Sequence, residues 1–97
     1  RDHTADGAAK AGLGFLTRAL ARDLAPDIRV NGVAPGAILW PDGGVTDSMR
    51  DRILRQIPLQ RVGAPADIAA CVLYLVRDAS YVTGQIIAVD GGRSAGW

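Results

Sequence analysis

The sequence predicts an α/β fold, built as the end of a doubly wound parallel sheet with two strands and about three helices. A helical apolar stripe comes first, a strand closing on Pro35-Gly36 follows, and a strand from Gln85 to Val89, continuously apolar from Ile86 onward, ends the pattern. Two strands separated by a long helical crossover imply a parallel pair with a right-handed connection. Because two parallel strands cannot cover their own faces, the 97 residues are expected to be one part of a larger sheet.

The first half of the chain predicts one long helix and one strand. Residues 7–24 carry an apolar stripe at steps of three and four, formed by Leu13, Leu16, Leu20 and Leu24. Pro26 ends this helix because proline lacks the N–H that a helix interior needs. A first strand is then expected over residues 28–33, followed by a loop over residues 36–46.

The second half predicts two helices before the last strand. A short helix is expected over residues 46–56, with its N-cap at one of two residues, Thr46 or Asp47. A further helix runs over residues 65–77 and opens on Pro65, which suits the first helical position. Ala64 has no side-chain acceptor, so this helix start is expected to lack a conventional cap.

The composition excludes several classes of protein. A net charge of +1 creates no field that would favour nucleic acid or a membrane surface as a partner. No apolar stretch approaches the roughly 20 residues of a membrane span. Cys71 is the single cysteine, so neither an internal disulfide nor a metal cluster is expected, and its apolar helical surroundings predict burial. The N-terminal residues do not resemble a signal peptide, and a cytoplasmic location is expected.

The turn after the first strand is the candidate ligand contact. In open α/β sheets, ligands bind beyond the carboxyl ends of the strands. Pro35 cannot continue the ladder, and Gly36 lets a ligand approach the backbone closely. Asn31 is expected to serve the backbone rather than the chemistry. His3 is the single histidine, so no serine–histidine or histidine–metal arrangement is available.

Four segments in a fixed order carry a resemblance to a known family. They are Ala9-Lys10-Ala11, Asn31 to Gly36, Pro65 to Ala69, and Tyr81 to Gln85 leading to Val89-Asp90-Gly91-Gly92. From about His3 to Arg93, the chain resembles the C-terminal part of a classical short-chain dehydrogenase/reductase. Residues 35–41 and the ending Gly91-Gly92-Arg93-Ser94 are most similar to the pteridine reductases.

The resemblance implies a Rossmann-type fold, a nicotinamide cofactor, and hydride transfer to or from a small substrate. For a pteridine reductase it implies NADPH, with NADH as the second choice, and dihydrobiopterin or dihydrofolate. Residues 1–97 would be the C-terminal fragment of a single domain without its N-terminal dinucleotide-binding half, since no G-x-G-x-x-G sequence occurs here. It also implies a homo-oligomer, a dimer or tetramer, with subunit contacts made by the first helix and the last strand.

Lys10 matches the lysine of the family motif Tyr-x-x-x-Lys. The resemblance implies that this lysine binds the nicotinamide ribose hydroxyls and that the tyrosine transfers the proton. Asp6 stands where that tyrosine is expected. An aspartate has an ordinary pKa of about 3.9, and a cation one helical turn away lowers it further. Asp6 would therefore be ionised at pH 7 with no proton to give. The protein is expected to be severely impaired even with a normal N-terminal half, and the chain alone is expected to be inactive. Outside the motif, Lys10 would be an ordinary solvated lysine and Asp6 a helix cap.

The resemblance places the nicotinamide ring and carboxamide against Pro35, Gly36 and Ile38, the last through its backbone groups. Leu39 and Trp40 follow in the family's substrate loop. An aromatic side chain at this place either stacks on a flat heterocycle or packs its own loop. These five residues complete the predicted cofactor and substrate contacts.

Two further residues are expected to be structural. Tyr81 lacks a lysine four residues later, so it is expected to pack at the entrance of the last strand rather than to transfer protons. Asp90 and the glycines after it resemble a tight turn that closes that strand.

Two alternatives to a pteridine reductase stay open. One is another reductase of the same family, such as an enzyme of 3-oxoacyl thioesters; the Trp40-Pro41 loop favours a pterin over other carbonyl or imine substrates. The other is a non-catalytic remnant that packs onto another subunit, which Asp6 and the missing nucleotide-binding half favour.

Overall fold

The computed structural model describes residues 3–36, Ile38 and residues 46–95, with residues 3–10 described by their backbone alone. The elements in chain order are α1 His3–Leu24, β1 Gly32–Pro35, α2 Asp47–Arg55, α3 Pro65–Leu73, a π-helical turn Tyr74–Asp78, β2 Ile86–Val89 and a 3₁₀ turn Arg93–Ala95. The predicted α/β class, with two parallel strands and three helices, is confirmed.

The two strands end together at one edge of the sheet. β1 and β2 pair in parallel, with Gly32 opposite Ile86 and Pro35 opposite Val89. The Gly36 N–H then donates to the Val89 carbonyl over 3.0 Å, continuing the ladder by one bond. Because Pro35 has no N–H, it is suited to this last strand position. The carboxyl ends of both strands therefore lie side by side.

The prediction that the first strand spans residues 28–33 is wrong at both ends. Ahead of Gly32, one backbone bond remains, from the Gly84 N–H to the Val30 carbonyl over 2.7 Å, and side chains make the other bonds. The Val30 N–H donates to Thr83 Oγ1 over 3.0 Å. The Asn31 amide donates to the Val82 carbonyl, and its oxygen accepts from the Gln85 N–H. The regular ladder therefore begins only at Gly32. The expected structural role of Asn31 is confirmed.

Helices lie on both faces of the sheet. On one face, a Cβ at Gly14 of α1 would lie 3.8 Å from Ile86 Cδ1, so α1 packs closely over β2. On the other face, Val33 lines a groove together with Val72 and Leu75 from α3 and the π-helical turn. Since alternate strand residues point to opposite faces, this arrangement is the doubly wound layering that the sequence predicts.

The described residues bury little and leave much apolar surface open. The buried hydrophobic residues are Ala21, Ile57, Leu75 and Ala79. On α1, Phe15 is 69% exposed and Leu13 is 61% exposed. Cys71 is half-buried, so its predicted burial is wrong, because the described elements cover only part of that side of α3. Two strands were expected to leave sheet surface uncovered, and Ile86 of β2 is indeed exposed.

None of the helices in the described ranges combines the length and the apolar character that a membrane crossing requires.

The two shorter helices begin as their sequences predict. At α2, Thr46 Oγ1 accepts from the Met49 N–H over 3.2 Å, so Thr46 is the N-cap. At α3, Ala64 provides no side-chain acceptor, and the Asp67 carboxylate accepts the Ala64 N–H over 2.7 Å instead. Asp67 also forms an ion pair with Arg61 at 3.1 Å. Hydrogen bonding from Arg61 first, and then from Ala64, lowers the pKa of Asp67 below its ordinary value.

Substituting Asp67→Asn is expected to reduce the stability of the full-length protein at neutral pH but not in strong acid. A lowered folded-state pKa means that the carboxylate stabilises the fold above the unfolded pKa of about 3.9, and that this contribution is lost as pH falls through the folded pKa. Urea unfolding at pH 7 and at progressively lower pH measures the difference. The exposed Asp51, replaced by asparagine, is the matched control, and an equal loss in both variants at pH 7 would contradict the prediction.

Candidate functional site

The candidate site lies at the carboxyl edge of the sheet, where the chain leaves β1. Gly36 still bonds to Val89, whereas Ile38 is paired in parallel with Gly63, just ahead of α3. Gly36 therefore lies beside β2, and Ile38 lies beside the start of α3. Pro35 is exposed at this edge, and Gly36 and Ile38 are half-buried. This is the position at which parallel sheets bind ligands.

Gly36 is held against the residue that follows β2. A Cβ at position 36 would lie 2.6 Å from the Asp90 Cβ and 2.8 Å from the Asp90 Cα. Real carbon atoms do not approach so closely, so only glycine allows the two backbones to meet here. From the sequence, glycine is expected at position 36 so that a ligand can approach. The structure adds a second reason for glycine at this position, which is its packing against Asp90.

The Asp90 carboxylate closes the turn after β2, which confirms the predicted tight turn. One oxygen accepts the Gly92 N–H over 3.0 Å and the other accepts the Ser94 N–H over 3.1 Å. Gly91 and Gly92 have φ of 66° and 94°, values that favour glycine. The hydrogen bond from the Ser94 side chain, followed by those from the backbone, lowers the pKa of Asp90 below its ordinary value.

The turn after β2 also contacts the segment that follows α2. A Cβ at Gly91 would lie 2.6 Å from the Cγ2 of Ile57, which is buried. The Leu59 N–H donates to the Gly91 carbonyl over 3.0 Å. The Arg93 guanidinium donates to the side-chain oxygen of Gln56, the C-cap of α2, over 2.6 Å. The turn therefore contacts both the end of α2 and the end of β1.

Arg29 holds the end of the helical crossover, a role that the sequence analysis missed. The predicted helix over residues 65–77 is α-helical to Leu73 and then widens, so that the Ala79 N–H donates to the Tyr74 carbonyl five residues back. Arg29 Nη1 donates to the carbonyls of Leu75 and Ala79 over 2.6 and 2.8 Å. Its Nη2 donates to the Val76 carbonyl over 3.1 Å. A lone arginine within an apolar strand pattern is the signal that could have indicated this contact.

Other predicted site residues are only partly placed. Asp6 and Lys10 lie one turn apart in the backbone of α1, and their side chains, with Leu39 and Trp40, lie outside the described residues. Tyr81 is fully exposed, so the prediction that it packs at the entrance of β2 is wrong. The cause is that no described element extends over Tyr81, which precedes the strand by five residues.

The residues at the carboxyl edge fit one end of a dinucleotide. Pro35 is exposed there, and Gly36 adds no side chain beside it. This open backbone leaves room for a flat ring to approach, whereas the 97 residues contain no G-x-G-x-x-G turn for a pyrophosphate. These residues would therefore fit the nicotinamide end of a dinucleotide rather than its phosphate end.

The sequence and the fold have well-matched relatives. The family model for enoyl-(acyl carrier protein) reductase matches residues 1–94. The chain is 48% identical over 88 residues to 3-oxoacyl-[acyl-carrier-protein] reductase FabG of Staphylococcus epidermidis, covering 88% of the chain and 36% of that protein. It is 48% identical over 98 residues to 3beta-hydroxysteroid dehydrogenase 1 of Eggerthella lenta, covering 95% of the chain and 38% of that protein. The solved structure of 4-hydroxyisoleucine dehydrogenase complexed with NADH matches with a TM-score of 0.84 and 33% identity, over 93% of the chain and 39% of that structure.

These matches define an oxidoreductase class with a Rossmann-type fold. The chain belongs to the enoyl-(acyl carrier protein) reductase family of short-chain dehydrogenases/reductases. It spans a little over a third of the length of the relatives named above. None of those three relatives is a pteridine reductase, so the family resemblance is confirmed at the level of the class and not of the pterin subgroup.

Proposed function

We propose that the chain is the C-terminal part of a single-domain oxidoreductase that uses a nicotinamide cofactor to reduce the carbonyl of a small molecule. The observation that carries the proposal is the Pro35-Gly36 turn, held at the carboxyl edge of a parallel sheet between β2 and α3. A 3-oxoacyl thioester is the first substrate to test, because the Staphylococcus epidermidis relative is named for the reduction of such a carbonyl. Dihydrobiopterin is the second, supported by the sequence of residues 35–41.

In this proposal, each predicted residue has a separate task. Lys10 binds the nicotinamide ribose hydroxyls, and Pro35, Gly36 and the backbone of Ile38 border the ring and carboxamide. The cofactor, when bound, supplies the hydride. NADPH is proposed ahead of NADH, although the 4-hydroxyisoleucine dehydrogenase structure holds NADH.

The substrate would lie on the loop side of this edge. Leu39 and Trp40 would border it, with the Trp40 indole available for stacking on a flat ring. A linear 3-oxoacyl chain would use the same surface through apolar contact.

The exposed apolar side chains of α1 support a further part of the proposal, a homo-oligomer. Leu13, Phe15 and Leu16 are exposed on α1, and a subunit contact would remove this apolar surface from water. A dimer or tetramer that covers this face is the assembly proposed for the full-length protein.

Cofactor binding is the first test of the proposed function. The full-length protein is expected to bind NADPH, measured by the change in nicotinamide fluorescence, and Lys10→Met is expected to weaken binding by about tenfold or more, since a cation on the ribose is lost. The exposed Arg52→Met is the control and is expected to bind as the parent does. A parent protein that binds neither NADPH nor NADH would contradict the proposal.

Turnover then separates the two substrates. With Asp6 replaced by tyrosine, oxidation of NADPH is measured with a 3-oxoacyl thioester and with dihydrobiopterin. Faster turnover of the thioester supports the first substrate, and faster turnover of the pterin supports the second. Binding of NADPH with no turnover of either compound, even with tyrosine in place, would favour the non-catalytic alternative.

A further inference from the structure

We infer that Asp90 is a positioning residue, which holds the Pro35-Gly36 turn in place for the nicotinamide cofactor. The inference rests on the proposed function, because the turn matters to activity only if the cofactor contacts it. Asp90 itself is not proposed to touch substrate or cofactor.

The first step of the argument is the contact between Gly36 and Asp90. The absence of a Cβ at Gly36 places its backbone directly against the Asp90 backbone, since a Cβ there would lie 2.8 Å from the Asp90 Cα. The bond from the Gly36 N–H to the Val89 carbonyl is adjacent to this contact. A shift of Asp90 therefore displaces Gly36, because closely packed backbones leave no gap to absorb it.

The second step is the way in which Asp90 is itself fixed. Both carboxylate oxygens accept backbone N–H groups, from Gly92 and Ser94, and the Arg93 N–H donates to the Asp90 carbonyl over 3.2 Å. Hydrogen bonds to an ionised carboxylate are shorter and stronger than neutral ones. The carboxylate is ionised at neutral pH, and its hydrogen bonds lower the pKa of Asp90 below the ordinary value.

The third step connects the turn to the end of α2. Gly91 lies against Ile57, and Arg93 bonds to Gln56, the C-cap of α2. The turn that begins at Asp90 therefore lies between the exit of α2 and the end of β1, and both segments hold it in place.

The test compares Asp90→Ala and Asp90→Asn in the full-length protein, with Asp78→Ala as the matched control. Asp78 pairs with Arg77 in the π-helical turn and is not part of the β2 turn. Amide hydrogen exchange at Gly36 measures how firmly the turn is held, since it reports opening of the bond from the Gly36 N–H to the Val89 carbonyl, and NADPH titration measures the effect on cofactor binding. Exchange at residues of α1 in the same samples reports global stability.

Asp90→Ala is expected to speed Gly36 exchange and to raise the Kd for NADPH by about tenfold, with exchange in α1 unchanged. Asp90→Asn is expected to lie between Asp90→Ala and the parent, because asparagine keeps one acceptor oxygen. It also serves as the informative variant if Asp90→Ala does not fold.

Three results would overturn the inference. They are unchanged Gly36 exchange, equally faster exchange in α1, and faster Gly36 exchange with an unchanged Kd. A parent that binds neither NADPH nor NADH is a different failure, which overturns the proposed function and with it the cofactor role of Asp90. In that case Gly36 exchange still decides whether Asp90 holds the turn.

Discussion

Replacing Asp6 with tyrosine in the full-length protein is expected to raise the rate of NADPH oxidation by about 10²- to 10⁴-fold. This is the contribution that a positioned acid or base makes to proton transfer. Asp6 and Lys10 lie one turn apart in the backbone of α1, so a tyrosine at position 6 shares a helix face with the lysine. A nearby cation favours the phenolate and moves the tyrosine pKa toward neutrality, whereas it lowers the pKa of an aspartate away from neutrality.

Two control variants test whether the phenol and its neighbouring cation cause the increase in rate. Asp6→Asn removes the charge without adding a phenol, and its rate is expected to stay at the level of the parent. Lys10→Met in the Asp6→Tyr background is expected to return the rate toward that level, since it removes the cation that tunes the phenol. Equal rates for the parent and Asp6→Tyr, in proteins that both bind NADPH, would show that a missing proton donor does not limit this protein.

Substituting Arg29→Ala is expected to lower the free energy of unfolding of the full-length protein by about 2–4 kcal/mol. The reason is that each buried carbonyl left without a donor bears a desolvation cost of roughly 1–3 kcal/mol. The guanidinium donates to three carbonyls at the end of the crossover, those of Leu75, Val76 and Ala79. Leu75 and Ala79 are buried residues, so water replaces the arginine poorly there. The lost cation also stood near a helix C-terminus, where positive charge is favourable.

Urea unfolding measures this loss, with Arg52→Ala as the control from the exposed side of α2. Arg29→Lys is expected to fall between Arg29→Ala and the parent, because an ammonium group cannot match the planar fork of a guanidinium. If Arg29→Ala and Arg52→Ala are equally stable, the three hydrogen bonds do not contribute to the stability of the fold.

The elements whose signals are local were predicted well. The leucine stripe predicted a helix over residues 7–24, whose end at Leu24 is confirmed although α1 begins earlier, at His3. Thr46 was predicted as one of two caps for α2. Pro65 marked the start of α3. A cap and a proline act on backbone groups within about one turn, and the leucine stripe is a spacing within one segment, so the information lies in neighbouring residues.

The starting point of β1 could not be predicted in this way. Its first expected residues bond instead to Thr83, Val82 and Gln85, more than 50 positions along the chain. The contact between Gly36 and Asp90 is of the same kind: the sequence contains both residues, but only the pairing of the strands brings them together.

The sequence by itself determined the order of the helices and strands, the parallel pairing, the family, and the residues proposed for the cofactor. Only the tertiary structure decided that Arg29 holds the end of the crossover and that Asp90 lies between Gly36 and the exit of α2. The reason is physical. Periodicity, caps and breakers act over one or two turns, whereas backbone contacts between distant segments depend on the register of the whole sheet.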